Sequence, residues 1–241
     1  MKKEMIFILF LFTKLVFSQN ISGKVFYTTS LKVLSEEQVD SILNKKKTPK
    51  AARVHVRKML MNAEDVTSVL EFSQSESLYK AQDEMSNGAR KGMNITSTIA
   101  GKNSTYYINT AEKDYFKQLN MDSFLRIDLL ENQWEITQES KKIGNYQCFK
   151  AIALKKARKD KPSIVITAWF TPTIPVSFGP KNFFGLPGLI LEISYKKVNI
   201  RASKIILNPK EKIVIKKPRK GKRMSHKEYE EMNRNFFKGL K

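Results

Sequence analysis

The chain has 241 residues, with 44 Lys and Arg against 23 Asp and Glu, a formal charge of +21, two histidines and one cysteine. That length supports one sizeable core of ordinary packing. The lone cysteine excludes an internal disulfide, and two histidines in unrelated contexts, His55 and His226, give no zinc-ligand spacing.

Residues 1–18 have the pattern of a secretory signal peptide. Lys2 and Lys3 form the basic start, an apolar stretch follows from Met5, and Val16 and Ser18 occupy the −3 and −1 positions before Gln19. The apolar run is shorter than the roughly 20 residues that span a bilayer. Cys148 lies far from the expected cleavage point, so no lipid-bearing cysteine follows it. Cleavage would remove Lys2, Lys3, Lys14 and Glu4 and leave about +19. The expected location is the periplasm or the periplasmic face of the outer membrane. Export argues against nucleic acid as the partner of this charge. It points to an anionic envelope surface, or to a simply well-solvated exterior.

Residues 23–29 (GKVFYTT) read as the first strand, and 35–44 as a short helix opened by the S-x-x-Q capping box of Ser35 and Gln38. Lys45 to Lys50 end that helix with charge and a proline. Residues 66–72 have strand composition, with Val66, Ser68, Leu70 and Phe72 on one side. The polar stretch 74–94, with the Asn87-Gly88 turn signal, reads as a loop. Residues 104–109 are a strand, and 114–130 fit helix or strand equally. Residues 134–137 and 147–155 read as a hairpin turning near Gly144-Asn145. Residues 164–170 are apolar on both faces, as in a strand buried on both sides. Strands at 189–195, 198–207 and 213–215 complete the body. The expected fold is mainly β: a curved antiparallel sheet or partial barrel, with one or two short helices and a C-terminal helix. No βαβ rhythm or internal repeat is present.

The tail differs. Residues 216–223 (KKPRKGKR) are basic at six of eight positions and read as a flexible arm. Ser225 and Glu228 make a second capping box, followed by Tyr229, Met232, Phe236, Phe237 and Leu240 at helical spacing. Such a helix can dock on its own body, lie on a membrane or fill a partner's groove. The expected division is a signal peptide over 1–18, a single β-rich domain over 19–215, and a basic linker with tail helix over 216–241.

Residues 169–192 (WFTPTIPVSFGPKNFFGLPGLILE) are apolar yet broken by Pro and Gly, so they cannot form one helix or strand. Leu186-Pro187-Gly188-Leu189 has the chemistry of a type II turn, with Pro pre-setting φ and Gly accepting φ > 0. Gly185 would let the backbone approach neighbouring aromatics. Phe178, Phe183 and Phe184 serve either to seal one end of the sheet or to offer an apolar surface to something else.

Gly185-Leu186-Pro187-Gly188-Leu189-Ile190, with Tyr146, Cys148, Lys150 and Ala151 in YQCFKA, Trp169, Ile174-Pro175 and Gly179-Pro180, resembles the GLPGLI family of Bacteroidota. The resemblance covers roughly residues 143–194; Phe170 stands where tyrosine is as common, and the basic tail is outside it. It implies an exported envelope protein of unknown biochemical role. It carries over no catalytic or ligand-binding residue. A likeness in shape to periplasmic carriers of lipoprotein acyl chains is an analogy of fold.

Catalytic signals are weak. H-E-x-x-H, G-x-S-x-G and the P-loop pattern are missing. Ser77-x-x-Lys80 and Ser194-x-x-Lys197 match S-x-x-K without its companion motifs. Cys148 sits in a strand pattern and reads as a buried, inert thiol. The resulting expectation is a protein without enzymatic activity, catalytic residue, metal or cofactor. It would bind a lipid or amphiphile, or an outer-membrane protein, through Trp169, Phe178, Phe183, Phe184 and Leu186, with Gly185, Pro187 and Gly188 as the structural turn and lysines available for an anionic head group. The alternatives are an outer-membrane assembly module docking through its basic tail, and a hydrolase that no motif announces.

Overall fold

The computed structural model describes residues 21–32, 35–45, 48–61, 63–82, 94–120, 124–155 and 162–239. The expected signal peptide and the Asn87-Gly88 turn lie outside them. Strand β1 (Ser22–Leu31) is followed by helices α1 (Glu36–Lys45) and α2 (Lys50–Met61), then by the hairpin β2 (Val66–Ser73) and β3 (Glu76–Ala81). Next come α3 (Ile95–Ala100), β4 (Ser104–Asn109), β5 (Asp114–Asn120) and β6 (Phe124–Asp128). The second half holds β7 (Glu135–Ile143), β8 (Tyr146–Lys155), β9 (Ile164–Thr171), β10 (Leu189–Tyr195) and β11 (Val198–Leu207). A short β12 (Lys222–Met224) and helix α4 (His226–Gly239) end the chain.

The strands form one curved, unclosed sheet in the order β12-β6-β5-β4-β3-β2-β1-β11-β10-β9-β8-β7. All pairings are antiparallel except β12 on β6. Two meanders, β1 to β6 and β7 to β11, meet where β1 pairs with β11. The fold class is thus the mainly β, curved antiparallel arrangement expected, with four short helices among the described residues. No described helix is long and apolar enough to cross a membrane.

Alternation makes the inner face. Val25 and Tyr27 of β1, Leu70 and Phe72 of β2, Tyr79 of β3, Ile108 of β4, Ala168 and Phe170 of β9 and Ile193 of β10 are all buried in one cluster. The period of two assigns them to one side of the pleat. On β10 a bulge between Ile190 and Glu192 breaks the alternation, and Leu189, Ile190, Leu191 and Ile193 are all fully buried. Bulges disrupt the ladder locally, and here the Tyr27 hydroxyl donates to the Ile190 carbonyl at 2.6 Å. Burial, with a smaller push from Tyr79, raises the Tyr27 phenol well above its ordinary value.

Several expectations change. The polar stretch after residue 73 contains β3, and 114–130 resolves into β5 and β6. Strand β9 alternates, with Val165 half exposed at 53%, because only its inner face is covered. Residues 213–215, expected as a strand, carry no regular structure and lie outside the sheet. Helix α2 follows α1 and is tied to it by Arg57 on Asp40. The Ser35 cap holds the Gln38 N–H at 3.3 Å, but the Gln38 side chain accepts from Lys197 at 2.9 Å, so the reciprocal half of that box is not made. The Ser225 box closes in both directions.

Candidate functional site

Four places gather the residues that chemistry could use. The first is the segment between β9 and β10, residues 172–188, which folds back onto the inner face. Phe178, Phe183, Phe184 and Leu186 are 1–5% exposed. Each such burial is worth about 1.5–3 kcal/mol. Phe178 packs on Phe72, Phe183 on Trp134 and Tyr195, and Phe184 on Tyr115 at 4.6 Å between centroids. The backbone is held by Gly185 N–H to the Ser177 carbonyl, Leu189 N–H to Ile174 and Ile190 N–H to Phe178, all 2.9–3.0 Å. The Trp134 indole N–H donates to the Phe184 carbonyl at 2.8 Å. The segment is an internal strut.

Its turn differs from expectation. The Gly188 N–H bonds the Leu186 carbonyl at 2.8 Å, closing three residues around Pro187 rather than the four of a type II turn. Gly188 is needed because a Cβ there would lie 2.3 Å from the Thr171 carbonyl oxygen. At Gly185 a Cβ would meet nothing within 4 Å, so its φ of +96°, and no close aromatic, accounts for the glycine.

Trp169 stands apart from the four strut residues. It pairs with Lys150 and Glu192 on the opposite face of the sheet. The Lys141 ammonium lies 4.3 Å over its ring and 3.0 Å from the Glu192 carboxylate, which also faces Arg201 at 3.8 Å and Asn199 at 3.4 Å. This network is internally satisfied.

The third place is the basic arm. Residues expected to be free lie instead along the outer face of β4 to β6. Lys217 and Arg223 each approach Asp114 at 2.8 Å, Arg223 also reaches Asp128 at 2.7 Å, and residues 222–224 form β12. Lys217 and Arg223 cover the rings of Tyr107 and Phe116. Burial works against ionisation of Asp114, but the hydrogen bonds from Lys217 and Arg223 prevail and hold its carboxyl below the usual range. A groove of about 570 Å³ runs between arm and sheet, lined by Glu76, Tyr107, Glu112, Lys216, Lys217 and Arg219 among others. Lys210, Lys212, Lys216, Arg219, Lys220 and Lys222 face solvent, and no ion pair engages them among the described residues.

The fourth was not foreseen. Lys117 on β5 and Lys155 at the end of β8 come close enough to Lys181 in the strut for their charges to act on it. The Lys181 ammonium donates to the Ile99 carbonyl of α3 at 2.8 Å. Enclosure, together with the charges of Lys117 and Lys155, brings its pKa down to about 8. Lys117 lies 4.9 Å from the Tyr229 ring centroid of α4 and is also lowered, by burial and by Lys155. The signal in the sequence was Lys181 itself, the one charge between residues 172 and 188.

Ser77 and Lys80 point to opposite faces of β3, which removes the helical-turn geometry an S-x-x-K pair requires. Lys197 is spent on Gln38. Cys148 is fully buried, and burial pushes its thiol up to about 11. No group of three or more His, Cys, Asp and Glu side chains clusters among the described residues.

A family described as "Protein of unknown function (Porph_ging)" matches residues 134–164 and 155–192, the span from Trp134 through the strut. No curated protein sequence matches the chain. Among solved structures it is similar to PNGF-II in two crystal forms, both at 14% identity over 88% of this chain, with TM-scores of 0.52 and 0.49. The chain spans 32% of the length of those molecules, and at this identity the likeness is one of fold alone.

Proposed function

We propose that this is an exported, non-enzymatic protein of the cell envelope that binds an anionic envelope surface through its docked basic arm. The observation that carries the reading is the division of labour along residues 210–223. Lys217 and Arg223 fasten the arm to Asp114 and Asp128. Six other basic side chains are thereby presented from a fixed strip. Fixing them beforehand lowers the ordering cost of binding. Exposed Val214 and Met232, on the arm and on α4, add apolar contact. The strut rings favour this reading over an apolar ligand held in the interior, because they are already packed against the chain's own core. Membership of the GLPGLI family belongs to the same proposal. It is supported by Gly185-Leu186-Pro187-Gly188-Leu189-Ile190 lying inside the matched residues.

The test is co-sedimentation of the purified protein with phosphatidylglycerol-containing vesicles and with neutral phosphatidylcholine vesicles. Each basic residue near an anionic surface contributes about 1 kcal/mol. Replacing Lys210, Lys212, Lys216, Arg219, Lys220 and Lys222 by Gln, with Lys217 and Arg223 kept, should abolish sedimentation with anionic vesicles. Equal binding to neutral vesicles, or undiminished binding by the variant, would overturn the proposal.

A further inference from the structure

We infer that Lys117, Lys155 and Lys181 form a binding site for a phosphate-class dianion, a phosphomonoester or inorganic phosphate, at the mouth of the curled sheet. The site is separate from the basic arm. Three independent parts of the chain supply it: an inner-face strand position on β5, the end of β8, and the one charged residue of an otherwise uncharged strut. Lys155 follows Ala153 and Ala151 on the inner-face alternation, and Lys117 follows Tyr115, whose ring packs on Phe184 of the strut. Among the described residues no carboxylate pairs with any of the three. Glu131 acts on the Tyr115 phenol, while Glu192 and Asp114 are engaged on the opposite face by Lys141 and by the arm.

Uncompensated like charges in a partly enclosed place are unfavourable, and here Lys117 and Lys155 disfavour the charged form of Lys181. The fold nonetheless builds them in. Lys181 sits in the tight turn closed by the Phe183 N–H on the Pro180 carbonyl, at φ +59°, a backbone setting that side chains rarely adopt. Its ammonium is held on the Ile99 carbonyl, which occupies one donor and leaves two. A phosphate group offers about two negative charges and three strong acceptor oxygens. Three ammonium groups match both, and lysine serves phosphate as a point-charge donor. The Tyr229 ring lies beside the cluster, 4.9 Å from the Lys117 ammonium. Bound anion would relieve the mutual repulsion of the three ammonium groups.

Titration calorimetry of the purified protein with sodium phosphate, against sodium chloride at matched ionic strength, tests this. Single variants Lys117→Met, Lys155→Met and Lys181→Met keep the hydrocarbon stems, and Lys220→Met/Lys222→Met on the arm is the control. Phosphate should bind saturably to the wild type, and each of the three variants should weaken it at least about fivefold while the control matches the wild type. No saturable phosphate binding, or equal binding by the three variants, would overturn the inference. Should Lys181→Met fail to fold, the lysine Nζ resonances of the wild type serve instead. Phosphate must shift those of Lys117, Lys155 and Lys181, and unshifted signals would overturn it. A short-chain phosphatidic acid that displaces phosphate in the wild type identifies the source as a lipid headgroup; phosphate binding untouched by it identifies a free phosphate. The assay contains no vesicle surface, so failure of the arm to bind membranes leaves its outcome unaffected.

Discussion

Gly188→Ala tests the strut most directly. The added Cβ would lie 2.3 Å from the Thr171 carbonyl oxygen, 2.6 Å from its carbon and 2.8 Å from the Pro172 nitrogen. These are backbone atoms, so no side chain can rotate away. The contact sits at the first rung of the β9–β10 ladder, where Leu189 pairs with Thr171 and both are fully buried. Relief requires the two strands to part there, weakening the Leu189 N–H bond to Ile174. Overpacking costs about 1–3 kcal/mol, and the lost hydrogen bond adds about 1 kcal/mol. The sum, about 3 kcal/mol, is a large share of a domain's net stability of roughly 5–15 kcal/mol. Gly185→Ala is the internal comparison, because its Cβ meets nothing and only the positive φ is penalised, at about 1–2 kcal/mol. Urea unfolding followed by tryptophan emission suits the measurement, since Trp134 is bonded to the Phe184 carbonyl within the strut. With a slope of roughly 2–3 kcal/mol per molar urea, the Gly188 variant should unfold at a midpoint about 1–1.5 M below wild type, and below that of the Gly185 variant. If the two variants unfold at the same midpoint with unchanged slopes, the close-approach argument is wrong.

Three further outcomes are expected. Lys181 releases its proton near pH 8 when folded and near 10.5 when not, so between those values the unfolded chain holds the extra proton and stability rises with pH. Lys181→Met should flatten that rise by about 1–3 kcal/mol in chemical denaturation at pH 7.5 and 10, the range allowing for partial solvation. Asp114 has a depressed carboxyl, so its contribution exists above the ordinary carboxylate range and disappears as pH falls through the folded value. Asp114→Asn should cost about 1–3 kcal/mol at pH 7 and progressively less as pH falls through the folded value, with faster amide exchange over 216–224 as the local sign; a cost independent of pH would refute the ion-pair account. Cys148, fully buried with its thiol near 11, should react with iodoacetamide at pH 8 about a hundredfold more slowly than after denaturation, as read by mass spectrometry; equal rates would exclude the buried placement.

Local pattern carried the strands. Residues 189–195 set Leu189, Leu191, Ile193 and Tyr195 against Glu192 and Ser194, residues 198–207 are rich in Val and Ile, and both are strands with those bounds. The Gly144-Asn145 turn and the tail helix were equally readable from turn and capping chemistry. Strand β3 was not, because ESLYKA carries its polar residues on the outer face and even buries Ser77. The docked arm was hidden for a different reason. A charge run reads as solvated unless its counter-charges are known, and Asp114 and Asp128 lie about a hundred residues earlier in the chain. The lysine mouth needed the fold itself, because β5, β8 and the strut become neighbours only when the sheet curls. Trp169 was grouped with the phenylalanines by proximity in sequence, and strand alternation separated them.

The seam between β1 and β11 has a kinetic meaning. Ser22 and Asn208 exchange two hydrogen bonds across a separation of 186 residues. A nascent chain can zip either meander from neighbouring hairpins, but the first-made strand must wait, one edge open, for nearly the last. Closing so long a loop costs entropy before any contact repays it, and such topologies mature slowly. The polypeptide therefore stays pliant until β11 (Val198–Leu207) is made, when one strand pairing turns two ladders into a single shell.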